Sequence, residues 1–297
     1  MRAGFVALVG RPNVGKSTLL NRLVGTKLAI VSDKPQTTRT RIAGVRTYED
    51  AQVVYLDTPG IHRPTHRMNV RMVDAAVESI RQADVVAVLA DATDRRAGRG
   101  EGHVLGQVAG LGAPIVLVLN KVDLVARPSL LPLIDQWRSR REFAEIVPVS
   151  AATGENVDRL ERILIGLLPE GEALYPTDYL TDHPERFFVA ETVREKVLEF
   201  THAELPFSTA VVVDRFEEPD ESGLMRLYCS ILVERESQKP ILIGRRGEAI
   251  KRIGTAARQD LERFFDARVF LDLRVKVRAD WRENDRLLDE IGVSGRE

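Results

Sequence analysis

The sequence predicts an α/β domain with a mostly parallel sheet, followed by a smaller α+β domain. Short, continuously apolar segments alternate with helical patterns over residues 1–168, which is typical of parallel strands buried on both faces. A glycine-containing turn of phosphate-binding type directly follows the first of these segments. After a linker that contains proline and glycine, the order of strands and helices changes. The strands predicted in the first domain are Phe5–Val9, Val53–Asp57, Val85–Asp91, Ile115–Asn120 and Ile146–Val149.

Helical patterns separate these strands, and a different order of elements begins after the linker. The helices predicted in the first domain are Lys16–Val24, Arg67–Arg81, Gly100–Leu111, Leu130–Arg141 and Val157–Leu168. The second domain is predicted to contain a helix at Ala190–His202, strands at Thr209–Phe216 and Leu224–Glu234, a pair of helices around Gly244–Phe265, and a last strand at Arg268–Val277. The predicted boundaries are residues 1–168 for the first domain, 169–185 for the linker and 186–297 for the second domain.

Composition excludes several classes of protein. The chain has 297 residues and a formal net charge of -1, so no global field attracts nucleic acid or an anionic membrane. Its single cysteine, Cys229, excludes an intramolecular disulfide framework and fits a reducing compartment. No apolar run reaches the length that spans a bilayer. We therefore expect a cytoplasmic protein of about two domains.

The segment Gly10–Ser17 reads GRPNVGKS and has the G-x-x-x-x-G-K-[ST] spacing of a phosphate-binding loop. Its glycines allow backbone N–H groups to surround an anion, and the following helix adds the positive end of its dipole. Lys16 is expected to contact the terminal phosphates and Ser17 to bind Mg²⁺. We therefore predict that a nucleoside polyphosphate contacts Gly10, Arg11, Pro12, Asn13, Val14, Gly15, Lys16, Ser17 and Thr18.

Three further motifs follow predicted strands, where ligand loops of such sheets lie. Asp57-Thr58-Pro59-Gly60 supplies a carboxylate for Mg²⁺ and, at Gly60, a backbone N–H for a terminal phosphate. Asn120-Lys121-Val122-Asp123 is more specific, because a carboxylate at Asp123 matches two donors of guanine that adenine lacks. Lys121 is expected to cover the base, and Asn120 to connect this loop to the phosphate-binding loop. In Ser150-Ala151-Ala152, the N–H of Ala151 is expected to donate to the guanine carbonyl.

With these four motifs in order, the chain resembles the translation-factor-like GTPases and, within them, the Era family. The resemblance extends over nearly all of the sequence. It implies that Pro35–Arg39 is the first switch, in which one threonine binds Mg²⁺ and contacts the terminal phosphate. Thr38 is our choice for this role, and Thr37 is the alternative. The residues expected to act in GTP hydrolysis are Lys16, Thr38 and Gly60, and those expected to hold the metal are Ser17, Thr38 and Asp57.

Ile61, which is also expected to contact the nucleotide, occupies the position at which Ras-like GTPases carry a glutamine that orients water. Its side chain forms no hydrogen bonds, so we expect slow intrinsic hydrolysis. The family resemblance suggests that K⁺ near the phosphates, held in part by Asn13, assists the reaction. The neighbouring His62, Arg63 and His66 are interpreted as solvated switch residues rather than catalytic groups.

The second domain carries the motif Gly244-Arg245-Arg246-Gly247 between two predicted helices. Between Lys239 and Arg258 the chain has six basic residues and the single acid Glu248, a local basic patch typical of phosphate contacts. The order helix–strand–strand–helix–helix–strand matches the type II KH fold, which binds about four nucleotides of single-stranded RNA. The predicted RNA contacts are Ile241, Ile243, Gly244, Arg245, Arg246, Gly247, Ile250 and Lys251.

The resemblance to the Era family implies a ligand and a role. The ligand is the 3′ end of the 16S RNA of the small ribosomal subunit, and the role is maturation of the 30S subunit by a monomer that associates peripherally with the inner membrane. Two functional hypotheses remain open. In one, GTP and GDP switch RNA binding on and off; in the other, the protein is an RNA-binding module whose nucleotide site only stabilises the fold. A third, an ATP-dependent kinase, is disfavoured by Asn120–Asp123.

Overall fold

The computed structural model describes residues 1–34, 36–61, 66–94, 101–201 and 205–293. The first domain contains a sheet of six strands in the order β2-β3-β1-β4-β5-β6, parallel except for the β2–β3 pair. This arrangement confirms the predicted α/β class. The strands are β1 (Arg2–Gly10), β2 (Ile42–Thr47), β3 (Ala51–Asp57), β4 (Val85–Asp91), β5 (Ile115–Asn120) and β6 (Glu145–Pro148).

Both faces of this sheet are covered, as the apolar strands predict. Along β1, Val6 and Leu8 belong to one core cluster, whereas Ala7 and Val9 belong to another on the opposite face. Strand β2 was not predicted. It lies at the edge of the sheet, where among the described strands it pairs with β3, and its apolar part is only the four residues Ile42–Val45. The helices of this domain are α1 (Lys16–Val24), α2 (Arg67–Gln82), α3 (Gly102–Gln107), α4 (Leu130–Arg138) and α5 (Val157–Leu167).

The predicted helix starts agree with these bounds except at α3, where the predicted first residue, Gly100, lies outside the described residues. The predicted ends run too far in α3 and α4, which stop at Gln107 and Arg138. Frayed and 3₁₀-like last turns are ordinary at helix ends, so sequence periodicity overestimates their length.

The second domain has the order predicted for a type II KH fold. Its sheet has the order β7-β8-β9, with β7 antiparallel and β9 parallel to the central strand. A short C-terminal helix, α9, was not predicted. It has fewer than two helical turns, so its sequence shows little periodicity. The elements are α6 (Glu185–Phe200), β7 (Ala210–Glu217), β8 (Leu224–Val233), α7 (Lys239–Ile243), α8 (Glu248–Phe265), β9 (Arg268–Val277) and α9 (Asp285–Glu290). The first helix begins at Glu185, before the predicted start at Ala190, and its predicted end, His202, lies outside the described residues.

A further apolar cluster, besides the one in which Phe188 of α6 packs with the first domain, joins the two domains. Met68 and Met72 of α2 pack with Leu232 of β8, Leu288 of α9 and the fully buried Trp281. The indole Nε1 of Trp281 donates to the carbonyl of Ser208 at 3.0 Å, which satisfies its buried polar atom. Among the described residues, no helix combines the length and apolar character needed to cross a membrane.

The linker follows the edge of the first sheet and is held there by one buried side chain. Gln52 of β3 accepts from the N–H groups of Leu174 and Tyr175 at 2.7 and 2.9 Å and donates to the Tyr175 carbonyl at 2.8 Å. Strand β2 adds a bond from the N–H of Val45 to the carbonyl of Leu180 at 2.8 Å. The rings of Tyr175 and Tyr179 stack with their centroids 4.7 Å apart. These contacts fix the segment between the domains.

Replacing Gln52 by Met keeps the side-chain volume but removes all three hydrogen bonds to the linker backbone. We expect Gln52→Met to lower the free energy of unfolding by about 1–3 kcal/mol and to increase proteolytic cleavage near Tyr175. Denaturant unfolding and limited proteolysis measure the two effects. Gln136→Met, at an exposed position of α4, is the matched control and should change neither. Unaltered proteolysis of Gln52→Met would contradict the role of this clamp.

Candidate nucleotide and nucleic-acid sites

The phosphate-binding loop lies between β1 and α1, as predicted. Gly15 has φ 96°, and a Cβ at this position would overlap the amide of Asn120. Gly10 ends β1, and a Cβ there would approach the carbonyl of Leu89 to 2.7 Å. Both glycines are therefore required by the packing of the loop against the neighbouring strands β4 and β5.

Lys16 and Asp57 form a buried pair of opposite charges at the centre of the site. The Nζ of Lys16 donates to the carbonyls of Arg11 at 3.0 Å and Gly10 at 3.3 Å. Burial lowers the pKa of Lys16 to about 8, with the charge of Asp57 acting in the opposite direction. Burial raises the pKa of Asp57 to about 6, against the charge of Lys16. A phosphate and a divalent cation are ligands that would compensate these buried charges.

Three oxygen-bearing side chains converge beside Lys16. Ser17 Oγ lies 2.6 Å from Asp57 Oδ2 and 2.7 Å from Thr38 Oγ1, and Thr38 Oγ1 lies 3.4 Å from Asp57 Oδ2. The other carboxylate oxygen of Asp57 is buried and has no hydrogen-bond partner in the described part of the chain. Two hydroxyls and a buried carboxylate are hard oxygen donors of the kind that Mg²⁺ prefers, so these residues fit that ion.

The two threonines left open by the sequence have different surroundings. Thr38 Oγ1 faces Ser17 and Asp57, whereas Thr37 Oγ1 donates to the carbonyl of Lys34 at 2.6 Å, within its own loop. This geometry favours Thr38 over Thr37 as the metal-binding residue. Pro35, the first residue of the predicted switch, lies outside the described residues.

A cleft of about 410 Å³ opens in front of these side chains. The predicted ligand residues that line it are Pro12, Asn13, Gly15, Lys16, Ser17, Thr18, Thr38, Gly60 and Lys121. The opposite wall is formed by Ile30–Asp33, which were not predicted, and by Gln36 of the predicted switch. Ile30–Asp33 belong to no motif, and only their position between α1 and the switch could have indicated them. Asn13 connects the two walls, because its Nδ2 donates to the carbonyl of Asp33 at 2.7 Å.

Several predicted ligand residues have structural roles instead of lining the cleft. Arg11 pairs with Glu101 at 3.3 Å, and the hydroxyl of Thr58 donates to the carbonyl of Leu8 at 2.9 Å. Ile61 was expected to contact the nucleotide, but its side chain is buried in the core on the α2 face of the sheet. Gly10, Val14, Asp57, Pro59, Asn120, Asp123, Ser150, Ala151 and Ala152 also do not line this cleft. They lie behind it or toward the base-binding loops.

One predicted donor of the base-binding loops already has a partner within the protein. The N–H of Ala151 was expected to donate to guanine, but it donates to Asn120 Oδ1 at 2.9 Å. Asn120 Nδ2 donates in turn to the carbonyl of Val14 at 2.8 Å, so this side chain joins three loops as predicted for its connecting role. Guanine can use the Ala151 N–H only by sharing it with Asn120. A single sequence does not reveal this competition between a side chain and a ligand.

Two residues support these loops that the sequence analysis did not identify. Arg22 of α1 donates to the carbonyls of Ala151 and Ala152. Asp91, at the end of β4, pairs with Lys121 Nζ at 2.6 Å and holds the stem that is expected to cover the base. The position of Asp91 at the end of a predicted strand was the only feature of the sequence that could have indicated its role. No feature of the sequence indicated the role of Arg22.

The switch residues set aside as non-catalytic are only partly described. His62 and Arg63 lie outside the described residues. His66 precedes α2, and its Nδ1 lies 3.3 Å from Glu283 of the second domain. The contact ties this histidine to the interface between the domains.

The G-x-x-G motif lies between α7 and α8, as predicted. Gly244 has φ 73°, and a Cβ there would come within 2.6 Å of the Cβ of Ala249, so this glycine is required by the protein's own packing. Gly247 has φ 81° with open space around it. Arg245 and Arg246 are exposed between the two glycines. The motif thus presents two cations at an accessible turn.

A cleft of about 300 Å³ begins one turn into α8 and runs toward β9. Of the predicted RNA contacts, Ile250 and Lys251 line it. The other predicted contacts, including the exposed Ile241 and the half-buried Ile243, lie outside this cleft at the α7 end. Gly254, Thr255, Leu271 and Leu273 were not predicted to line it, and Arg258 was predicted only as part of the basic patch. Gly254 and Arg258 follow Ile250 at helical spacing, and this spacing was the signal available for them.

The chain matches two family models. The model described as a 50S ribosome-binding GTPase matches residues 5–121, and the model described as a KH domain matches residues 204–282. GTPase Era of Geotalea daltonii is 51% identical over 290 residues, which cover 98% of this chain and 97% of that protein. The chain belongs to the Era family of GTPases. GTPase Era of Geobacter metallireducens is 48% identical and covers 99% of the chain.

Solved Era structures agree with this fold over its whole length. Aquifex aeolicus Era, solved as a point variant bound to GDP·AlF4⁻, has a TM-score of 0.95 and 42% identity and covers 99% of this chain and all of its own. A second Era structure has the same TM-score and identity, with 99% of each chain covered. That protein is in complex with MgGDPNP and nucleotides 1506–1542 of 16S ribosomal RNA. The chain is therefore an Era-type GTPase with a C-terminal KH domain.

The shifted pKa values of Lys16 and Asp57 predict how this Era-family enzyme responds to pH. Below about pH 6 Asp57 takes up a proton and loses the charge that binds a metal, and above about pH 8 Lys16 loses the charge that binds phosphate. We expect kcat/KM for GTP to fall on both sides of this window, about tenfold per pH unit. Steady-state kinetics with excess Mg²⁺ measure the profile, and circular dichroism shows where the fold is intact. A flat profile from about pH 5 to about pH 9.5 would contradict it.

Proposed function

We propose that this protein is a Mg²⁺-dependent GTPase switch that binds RNA of the small ribosomal subunit and assists maturation of the 30S subunit. The observation that carries the proposal is the cluster of Ser17, Thr38 and Asp57 oxygens, 2.6–3.4 Å apart, beside the buried Lys16. Thr38 belongs to the switch, so a bound terminal phosphate and metal would decide its position. A cleft that only stabilised the fold would not need this set of residues.

In this proposal each residue has a defined task in GTP hydrolysis. Lys16 neutralises charge on the terminal phosphates, and the backbone N–H of Gly60 donates to the terminal phosphate. Ser17, Thr38 and Asp57 hold Mg²⁺, which when bound offsets the negative charge that develops during phosphoryl transfer. Ile61 is buried in the core and orients no water, so intrinsic hydrolysis is slow.

Guanine specificity is assigned to the loops after β5 and β6. The carboxylate of Asp123 is exposed at the end of β5, where it can accept from two guanine donors. Lys121, held by Asp91, covers the base. Asn120 keeps this loop attached to the phosphate-binding loop through Val14. The Ala151 N–H already donates to Asn120 Oδ1, so the base would share this donor with the Asn120 side chain.

RNA binding is assigned to the second domain, for which we propose the boundaries 186–297, with 169–185 as linker and 1–168 as the GTPase domain. The exposed Arg245 and Arg246 contact phosphates, and bases occupy the cleft along Ile250 and Leu271. The Era structure with nucleotides 1506–1542 of 16S RNA supports the 3′ end of that RNA as ligand. It favours the small subunit, although the matching GTPase family model is described by binding to the 50S subunit.

We further propose that the protein is a cytoplasmic monomer that associates peripherally with the inner membrane. This part rests on the family resemblance alone. Helix α8 carries part of the basic patch, but its apolar residues Ile253, Ala257 and Leu261 pack into the core of its own domain and are not free to contact lipid. Light scattering and cell fractionation test it. Association that depends on the ribosome rather than on lipid would contradict the membrane contact.

The proposed switch predicts that RNA affinity depends on the bound nucleotide. We expect affinity for an oligonucleotide with the 16S 3′-end sequence to differ at least tenfold between the GDPNP and GDP states, roughly the low end of the coupling range. Fluorescence anisotropy measures both. Equal affinities would contradict the switch and favour the alternative in which the nucleotide site only stabilises the fold.

The arginines of the turn provide an internal check on this measurement. Replacing Arg245 and Arg246 by Ala should weaken binding in both nucleotide states and reduce the salt dependence by about 0.7 per lost phosphate contact. Arg138→Ala on α4 of the GTPase domain is the matched control and should not change RNA affinity. Substitution of Gly244 is unsuitable here because of its contact with Ala249.

We propose that K⁺ assists hydrolysis beside Asn13, at the rim of the cleft where this side chain bonds to the Asp33 carbonyl. This assignment rests on the family resemblance, with the Asn13 amide oxygen as the ligand offered to the cation. Turnover should be faster in KCl than in NaCl, and Asn13→Ala should remove the difference. Equal turnover of the unsubstituted protein in the two salts would exclude this role of K⁺.

A further inference from the structure

Helix α6 of the second domain contacts the switch of the first domain directly. Arg194 is 2% exposed, and its Nη2 donates to the carbonyl oxygen of Thr37. One turn earlier, Glu191 accepts from Arg194 Nε at 2.7 Å and from Nη2 at 2.6 Å. This two-bond pairing fixes the plane of the guanidinium, so the direction of its bond to Thr37 is fixed as well.

The bonded carbonyl belongs to the peptide that leads into Thr38. In a trans peptide the C=O and the N–H point in opposite directions. A donor that holds the Thr37 carbonyl from the side of α6 therefore directs the Thr38 N–H away from α6. The Thr38 hydroxyl lies 2.7 Å from Ser17 Oγ in the phosphate-binding loop. Arg194 thus acts on the orientation of Thr38 through the backbone, without touching the cleft itself.

Neighbouring contacts hold the same segment at its other positions. Glu195, the next residue of α6, accepts from the N–H of Val31 at 3.0 Å and pairs with Lys27 at 2.6 Å. Beyond Thr38, Arg39 donates to the carbonyl of Thr209 at 2.7 Å and lies 5.6 Å from the ring centre of Trp281. The second domain therefore holds the segment on both sides of Thr38.

We propose that Arg194 is a positioning residue for GTP hydrolysis, which places Thr38 for the metal and terminal phosphate by holding the Thr37 carbonyl from the second domain. This inference rests on the proposed function, because it assumes that Thr38 serves the GTP state. It makes the hydrolytic site incomplete without α6.

The test is the variant Arg194→Ala in the full-length protein. We expect kcat for GTP and the affinity for MgGDPNP to fall at least about tenfold, as for loss of a charge-assisted hydrogen bond. Affinity for GDP should stay within about twofold, because GDP has no terminal phosphate for Thr38 to contact. A merely structural defect would weaken both nucleotides equally. Stopped-flow binding, single-turnover hydrolysis and thermal unfolding provide the measurements.

Arg138→Ala is the matched control, since Arg138 pairs with Asp135 three residues earlier on α4, and no contact between Arg138 and the switch is present among the described residues. It should leave all three quantities within about twofold. If Arg194→Ala does not fold, Glu191→Gln loosens the same guanidinium without emptying the site and is judged by the same criterion. A folded variant with unchanged kcat and an unchanged GDPNP-to-GDP affinity ratio overturns the role of Arg194. A wild-type protein that hydrolyses no GTP overturns the proposed function itself.

Discussion

The buried pair of Lys16 and Asp57 is the constraint on which the rest of the site depends. Each charge is removed from water, and this burial moves the pKa of each group toward neutrality against the attraction of the other charge. The fold accepts this cost because two adjacent parallel strands, β1 and β3, end side by side and deliver both groups to one edge of the sheet. Ser17 and Thr38 then gather around the carboxylate. A lone buried charge at either position would be far more costly than the pair.

The same edge explains why a single ligand can reach motifs that are distant in sequence. The phosphate-binding loop, the Asp57 loop and the Asn120 loop follow β1, β3 and β5, which all run in one direction. Asn120 joins the phosphate-binding loop to the loop after β6 through two hydrogen bonds. The loops assigned to phosphate recognition and to base recognition are therefore joined directly by short polar contacts.

Much of this could be predicted from the sequence, because the signals were local. The continuous apolar strands and the spacing of the motifs located β4, β5 and the start of α1 to the residue. The antiparallel edge strand β2 and the short α9 lack such periodicity and were missed. The burial of Ile61 and the engagement of the Ala151 N–H depend on how distant segments pack, and no local pattern reports them. The contact between Arg194 and Thr37 joins positions far apart in the chain and has no sequence signature.

The apolar cluster between the domains limits what a nucleotide can do to their arrangement. Trp281 and Leu288 are completely buried against Met68 and Met72, and each 100 Å² of apolar surface returned to water costs about 2.5 kcal/mol. A terminal phosphate can shift an equilibrium only by its difference in affinity for the two states, commonly about 1–3 kcal/mol. Any alternative arrangement of the domains must therefore cover most of these side chains again. Sliding along the interface satisfies that condition, whereas free separation does not.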